Sequence, residues 1–208
     1  MDQTLQELRQ EIAELRQHLQ LQKKPESASL NPDIGDLVNY IEQKQGQAET
    51  AYSKKQIISD TDDPGKLRLI LDALQPLYGF HLDYLRLGKR KLPEHLVIYF
   101  QQKKAAVAFL HTDASSFTPR IKNFNQLVVG HKEIRFALFR DEREPKIKSR
   151  VGKGEIDKLN STEHGRFVCM DRLKRIHFEL VYQIISDIQN HDLHAEPDQV
   201  MPLLMEMI

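Results

Sequence analysis

Residues 95 to 130 read HLVIYFQQKKAAVAFLHTDASSFTPRIKNFNQLVVG, and how this stretch is parsed decides the fold. Two apolar runs, HLVIYF and AAVAFL, flank the polar QQKK, the pattern of an antiparallel hairpin with largely buried strands. After Leu110 the chain turns polar through His111, Asp113, Ser115 and Ser116. Such a cluster at a strand end suits either a catalytic loop or the cap of a helix. Phe117, Ile121, Phe124, Leu127 and Val128 then recur at helical spacing, so Asp113 or Ser115 reads as the cap of a buried helix. A nucleophilic serine would need an oriented base and an oxyanion site, and no Gly-x-Ser-x-Gly turn surrounds Ser115 or Ser116.

Working outward, TDDPGKLRLILDALQPL before the hairpin is a helix, with Asp62 or Asp63 as its cap and Pro64 in the first turn. FHLDYLRLG is a strand, and EIRFALFR, beyond the central helix, is another. EIDKLNS is a small element and RFVCM a short apolar run in which Cys169 reads as a buried packing residue. DRLKRIHFELVYQIISDIQNHDL is a long helix capped by Asp171, with Leu173, Ile176, Leu180, Val181, Ile184, Ile185 and Ile188 on a broad apolar face. The final EPDQVMPLLMEMI docks on the domain or on a partner. These elements predict an α+β fold: a four-stranded mixed sheet flanked by helices, spanning residues 60–208.

The N-terminus has another character. Leu5, Leu8, Ile12, Leu15 and Leu19 follow a 3-4-3-4 spacing, the narrow seam of a coiled coil. A helix with so thin a stripe is marginal alone, so residues 1–24 are expected to oligomerise. Residues 25–59 read as a linker, broken by Pro25 and Pro32, with a polar second helix carrying Ile34, Leu37, Val38 and Ile41. From Glu42 to Lys55 the chain is so polar that a helix there would be solvent-bridging or frayed.

Composition limits the chemistry. The 208 residues are 40% hydrophobic and 29% charged, with zero formal net charge, which fits one globular core and argues against a generic polyanion binder. No apolar run approaches the roughly 20 residues that cross a bilayer, and the polar start is unlike a signal peptide, so a cytoplasmic protein without a membrane partner is expected. One cysteine excludes an internal disulfide. No phosphate-binding loop is present: GKG at Gly152 to Gly154 lacks both spacing and hydroxyl. His191 and His194 sit in NHDLH at a spacing that could present two imidazoles to an ion, yet a solvated helix end explains them better, and no cofactor or metal is expected. The charge is uneven: no Lys or Arg follows Arg175, while Lys89, Arg90 and Lys91, with Arg143, Lys146, Lys148, Arg150 and Lys153, would form a nucleic-acid-binding surface if their loops converge. These loops lack interleaved aromatics. Arg140, Asp141 and Arg143 read rather as a structural ion-pair cluster at a strand end than as a specific binding site.

The order helix, three strands, helix, strand between Pro64 and Arg140 resembles the restriction-endonuclease-like PD-(D/E)XK fold. That resemblance implies an acid on the second strand and a Glu-x-Lys on the third, holding a divalent metal. Glu94 precedes HLVIYF, but AAVAFLHTD contains no such Glu-x-Lys, so the site looks degenerate. The stretches FALFRDEREP and GRFVCMDRLKRIHFELVYQIISDIQNHDL are similar to regions attached to bacterial AAA-type ATPases or defence-associated assemblies, which implies an ATPase as a protein partner. The expectation is therefore a non-catalytic, homo-oligomeric adaptor that contacts a protein or nucleic acid. Its rival is a Mg²⁺-dependent nuclease using Glu94, Asp113 and Lys122.

Overall fold

The hairpin anticipated from residues 95–109 lies at the centre of the sheet. In a computed structural model, which describes residues 33–54, 62–83, 93, 95–112 and 114–207, β2 (His95–Phe100) pairs antiparallel with β3 (Lys103–Phe109), Leu96 opposite Val107 and Phe100 opposite Lys103. On one side β1 (His81–Asp83) adds antiparallel to β2. Beyond β3, helix α3 (Ala114–Gly130) carries the chain to β4 (Ile134–Asp141), and α4 (Arg150–Asn160) carries it to β5 (Gly165–Met170); both new strands are parallel to β3. The sheet is mixed, in the order β1-β2-β3-β4-β5. It has five strands where four were expected. RFVCM was hard to recognise because it forms the edge strand, with only part of it buried.

Alternation along the strands divides the side chains between two helical layers. Val97, Ala106, Ala108, Ile134, Phe136 and Leu138 meet Phe117, Ile121, Phe124 and Leu127 of α3, with Leu159 of α4. This layer is tight enough that a Cβ on Gly152 would come within 2.8 Å of Ile147 Cγ2, so α4 requires a glycine there. On the opposite face, Leu82 and Ile98 meet α2 (Asp62–Tyr78) through Ile70 and Leu74, and α5 (Arg172–Gln189) through Leu180, Ile184 and Ile185. The same core takes in Leu37 and Ile41 of α1 (Ile34–Ser53) and Val200, Met201 and Leu204 of α6 (Pro197–Met207). The C-terminal cluster thus docks on its own fold.

Helix α1 departs from expectation, for it continues unbroken through the polar run to Ser53. Ala48 is buried there, one turn beyond Lys44, so the stripe of Leu37 and Ile41 goes on with small and amphipathic residues. Across the interface, Asp187 of α5 receives the Tyr40 hydroxyl at 2.9 Å and the Lys44 ammonium at 2.7 Å. Cys169 also differs: it is exposed, because α4 reaches Phe167 on this edge strand but leaves the residue two further on uncovered. No helix among the described residues is long and apolar enough to cross a membrane.

Candidate functional site

Because β3, β4 and β5 run parallel, their carboxyl ends lie side by side, the place where open α/β sheets usually bind ligands. His111, just past the end of β3, and Arg140 and Asp141, the last residues of β4, come together with Asp63 from the first turn of α2 and Arg175 from α5, all of them buried. Desolvating so many polar groups is costly unless each is paired.

The pairing is dense. His111 Nε2 lies 2.6 Å from Asp63 Oδ2, and the Asp141 backbone N–H donates to His111 Nδ1 at 3.2 Å. A nitrogen that accepts from an amide carries no hydrogen, so the imidazole is the neutral tautomer that donates to Asp63 through Nε2. Arg175 donates to the same Asp63 oxygen at 2.5 Å and to Glu179 Oε1 at 2.7 Å, while its Nε stands 3.6 Å from Asp141 Oδ2. Lys66 donates to both oxygens of Glu179 at 2.8 Å. Asp141 is gripped by Arg143, whose Nε and second guanidinium nitrogen reach its two oxygens at 3.0 Å each. The carboxylates Asp63, Asp141 and Glu179 are therefore matched by Arg175, Arg143 and Lys66, around a neutral histidine.

Burial alone would raise the Asp63 carboxyl, but the bonds from His111 and Arg175 outweigh it and hold the group below its ordinary range. One oxygen, Asp63 Oδ1, is buried without a hydrogen-bond partner among the described residues. Beside this network, Arg140 donates to the carbonyls of Leu110 at 2.7 Å, Thr112 at 2.9 Å and Pro145 at 3.0 Å, fastening the exits of β3 and β4 together. Arg143 also stacks its guanidinium 4.5 Å above the Tyr52 ring, and the Tyr52 hydroxyl donates to Glu142 at 2.6 Å. Burial, then that bond to Glu142, pushes the phenol up to about 12. These contacts tie the end of α1 to the end of β4.

Chemically, most of the groups that could act as acid or base are already engaged. Both nitrogens of His111 are engaged, Asp141 gives both oxygens to arginine, and the imidazole is fully buried. A general base needs a side chain that can reach a substrate proton.

The other candidates are scattered. Arg143 is turned inward, whereas Lys146, Lys148, Arg150 and Lys153 are exposed on the loop after β4 and the first turn of α4, and form no ion pair among the described residues. Ile147 anchors that loop in the core and Ser149 caps the helix, accepting from the Gly152 N–H at 3.2 Å, so the four cations are displayed from a fixed base. Lys122 lies on the outer side of α3, away from the strand ends. Ser115 and Ser116 are exposed at the start of α3, and His191 and His194 are exposed beyond α5. Among the described residues no three His, Cys, Asp or Glu side chains gather as metal ligands. Glu94, Asp113, Lys89, Arg90, Lys91 and the seam residues Leu5, Leu8, Ile12, Leu15 and Leu19 lie outside the described residues.

The sequence did not single out Asp63, Lys66, Arg175 and Glu179 as one cluster. Its one local sign was an arginine set against the apolar face of α5, four residues before Glu179. Asp63 had been anticipated only as a cap. No protein-family model matches the chain, and no curated protein is significantly similar to it.

Proposed function

We propose that this protein is a non-catalytic assembly or adaptor subunit, cytoplasmic, which multimerises through the leucine seam of residues 5–19 and uses its globular unit to contact a partner protein or nucleic acid. The observation that carries this reading is the self-neutralised cluster at the strand ends. The acids gathered at the strand ends, Asp63 and Asp141, are bound to Arg175 and Arg143 in place of standing open to a metal. The helix, three strands, helix, strand order supports that fold family as the origin of a domain now used as a platform, with an ATPase among the partners it suits. The cations Lys146, Lys148, Arg150 and Lys153, unpaired among the described residues, support contact with an anionic partner.

Light-scattering mass of the full chain tests the reading. A multimer is expected, falling to the monomer mass in a Leu8→Glu, Leu15→Glu variant; a monomeric wild type at micromolar concentration would remove its main support. The rival reading, a Mg²⁺-dependent nuclease with Glu94, Asp113 and Lys122, predicts strand cleavage that Asp113→Ala abolishes. That result would replace the adaptor.

A further inference from the structure

Opposite the buried cluster, at the amino ends of the same strands, the sheet presents charges of another kind. Lys103 of β3, Arg135 of β4 and Arg166 of β5 are all exposed, and none forms an ion pair among the described residues. The register puts them on one face: Arg135 pairs with Ala105, two residues after Lys103, and Arg166 pairs with Ala137, two residues after Arg135. Each step thus crosses one strand and moves two residues along it. With strands about 4.8 Å apart and a rise of about 3.3 Å per residue, neighbouring cations stand roughly 8 Å apart at Cα, in an oblique row across three strands.

The row ends on an aromatic. Phe100 is directly opposite Lys103, hence on the same face, and it is 43% exposed. This is the face of Ile98, whose upper part is covered by α2 and α5, Phe178 lying 5.8 Å from Phe109. Among the described residues that cover stops short of the lower β4–β5 corner, where Ala137, opposite Arg166, and Val168, two residues beyond Arg166, are only half-buried. The nearest acid along β4, Glu133, is engaged by His131 at 3.3 Å. Three cations unpaired among the described residues, in line with an exposed ring and over small aliphatic side chains, match what a single strand of nucleic acid offers: phosphates at intervals and bases with stackable faces. A duplex presents no free base to stack.

We propose that this uncovered sheet face binds single-stranded nucleic acid, Lys103, Arg135 and Arg166 contacting phosphates and Phe100 stacking a base. The proposal rests on the adaptor reading only for the class of partner, and it stands whether or not the chain multimerises. The surface is distinct from the basic loop at 146–153.

Fluorescence anisotropy of the full chain with a fluorescein-labelled oligothymidylate, across a salt series and against a duplex of equal length, tests it. Three phosphate contacts predict a log affinity against log salt slope of about −2, falling to about −0.7 in Arg135→Gln, Arg166→Gln. Phe100→Leu, which keeps an apolar side chain but no ring, should weaken single-strand binding about tenfold with an unchanged thermal melt, and leave duplex binding unaltered. Lys148→Gln, Arg150→Gln should bind the oligonucleotide as the wild type does. Wild-type binding by the sheet-face variants, loss confined to the loop variant, or no single-strand binding at low salt would each overturn the proposal. None of these outcomes alters the light-scattering mass, so the self-association reading fails or survives separately.

Discussion

The two ends of one parallel strand set use arginine in opposite ways. At the carboxyl ends, Arg140, Arg143 and Arg175 are paired with carbonyls or carboxylates of the same chain. At the amino ends, Arg135 and Arg166 stand in solvent with no carboxylate partner among the described residues. The difference follows from desolvation. A buried guanidinium must be matched on the spot, and once matched it is a fastening; an exposed one can remain unmatched until a partner arrives. Charged residues should therefore be sorted by what already holds them before any is credited with binding.

Large effects are expected at the carboxyl ends, where the arginines act as fastenings. Arg140→Ala leaves one buried and two partly buried carbonyls without their donor and should cost about 3 kcal/mol in denaturant unfolding. A cost under 1 kcal/mol would blur the contrast between the two ends. Acid should act on the same end. A carboxyl held below its ordinary value stabilises the fold above the unfolded pKa, about 3.9, and that stability is lost as pH falls through the folded value. Stability below about pH 4 should thus fall less steeply in Asp63→Asn than in the wild type. Tyr52→Phe, which removes the bond to Glu142, is a smaller perturbation of about 1 kcal/mol at neutral pH. Here the phenol is raised, so the wild type should lose stability as pH climbs from about 10 to about 12, and the phenylalanine variant should not share that loss. Smallest of all, Arg135→Gln, Arg166→Gln should stay within about 0.5 kcal/mol of the wild type, since both side chains are exposed and neither is in an ion pair among the described residues.

Much of this fold was legible because its strongest signals are local. The hairpin, α3 with Phe117, Ile121 and Phe124, and α5 with its isoleucines each bury a face that repeats at the period of its own element. Helix α1 was half-legible: its second half is held by Asp187 and by the end of β4, partners far away in the chain, and a polar sequence gives no sign of them. Edge strand β5 was hidden for a similar reason, being defined by pairing with β4 more than by its own pattern. The charges were the least legible. Asp63 and Arg175 are 112 residues apart, and Lys103, Arg135 and Arg166 become a row only once the register is known. In sequence, the basic loop at 146–153 drew attention because its cations are neighbours along the chain.

A double-mutant cycle on Asp63 and Arg175, read by equilibrium denaturant unfolding, decides whether the strand-end cluster is a fastening. The account predicts that Asp63→Leu and Arg175→Met each cost several kcal/mol, about 3–5, by stranding the remaining charge, and that the double variant recovers much of the loss. If either single variant is neutral or stabilising, as is common when a residue is kept for activity at the expense of stability, the strand-end cluster is a working site and the account is wrong.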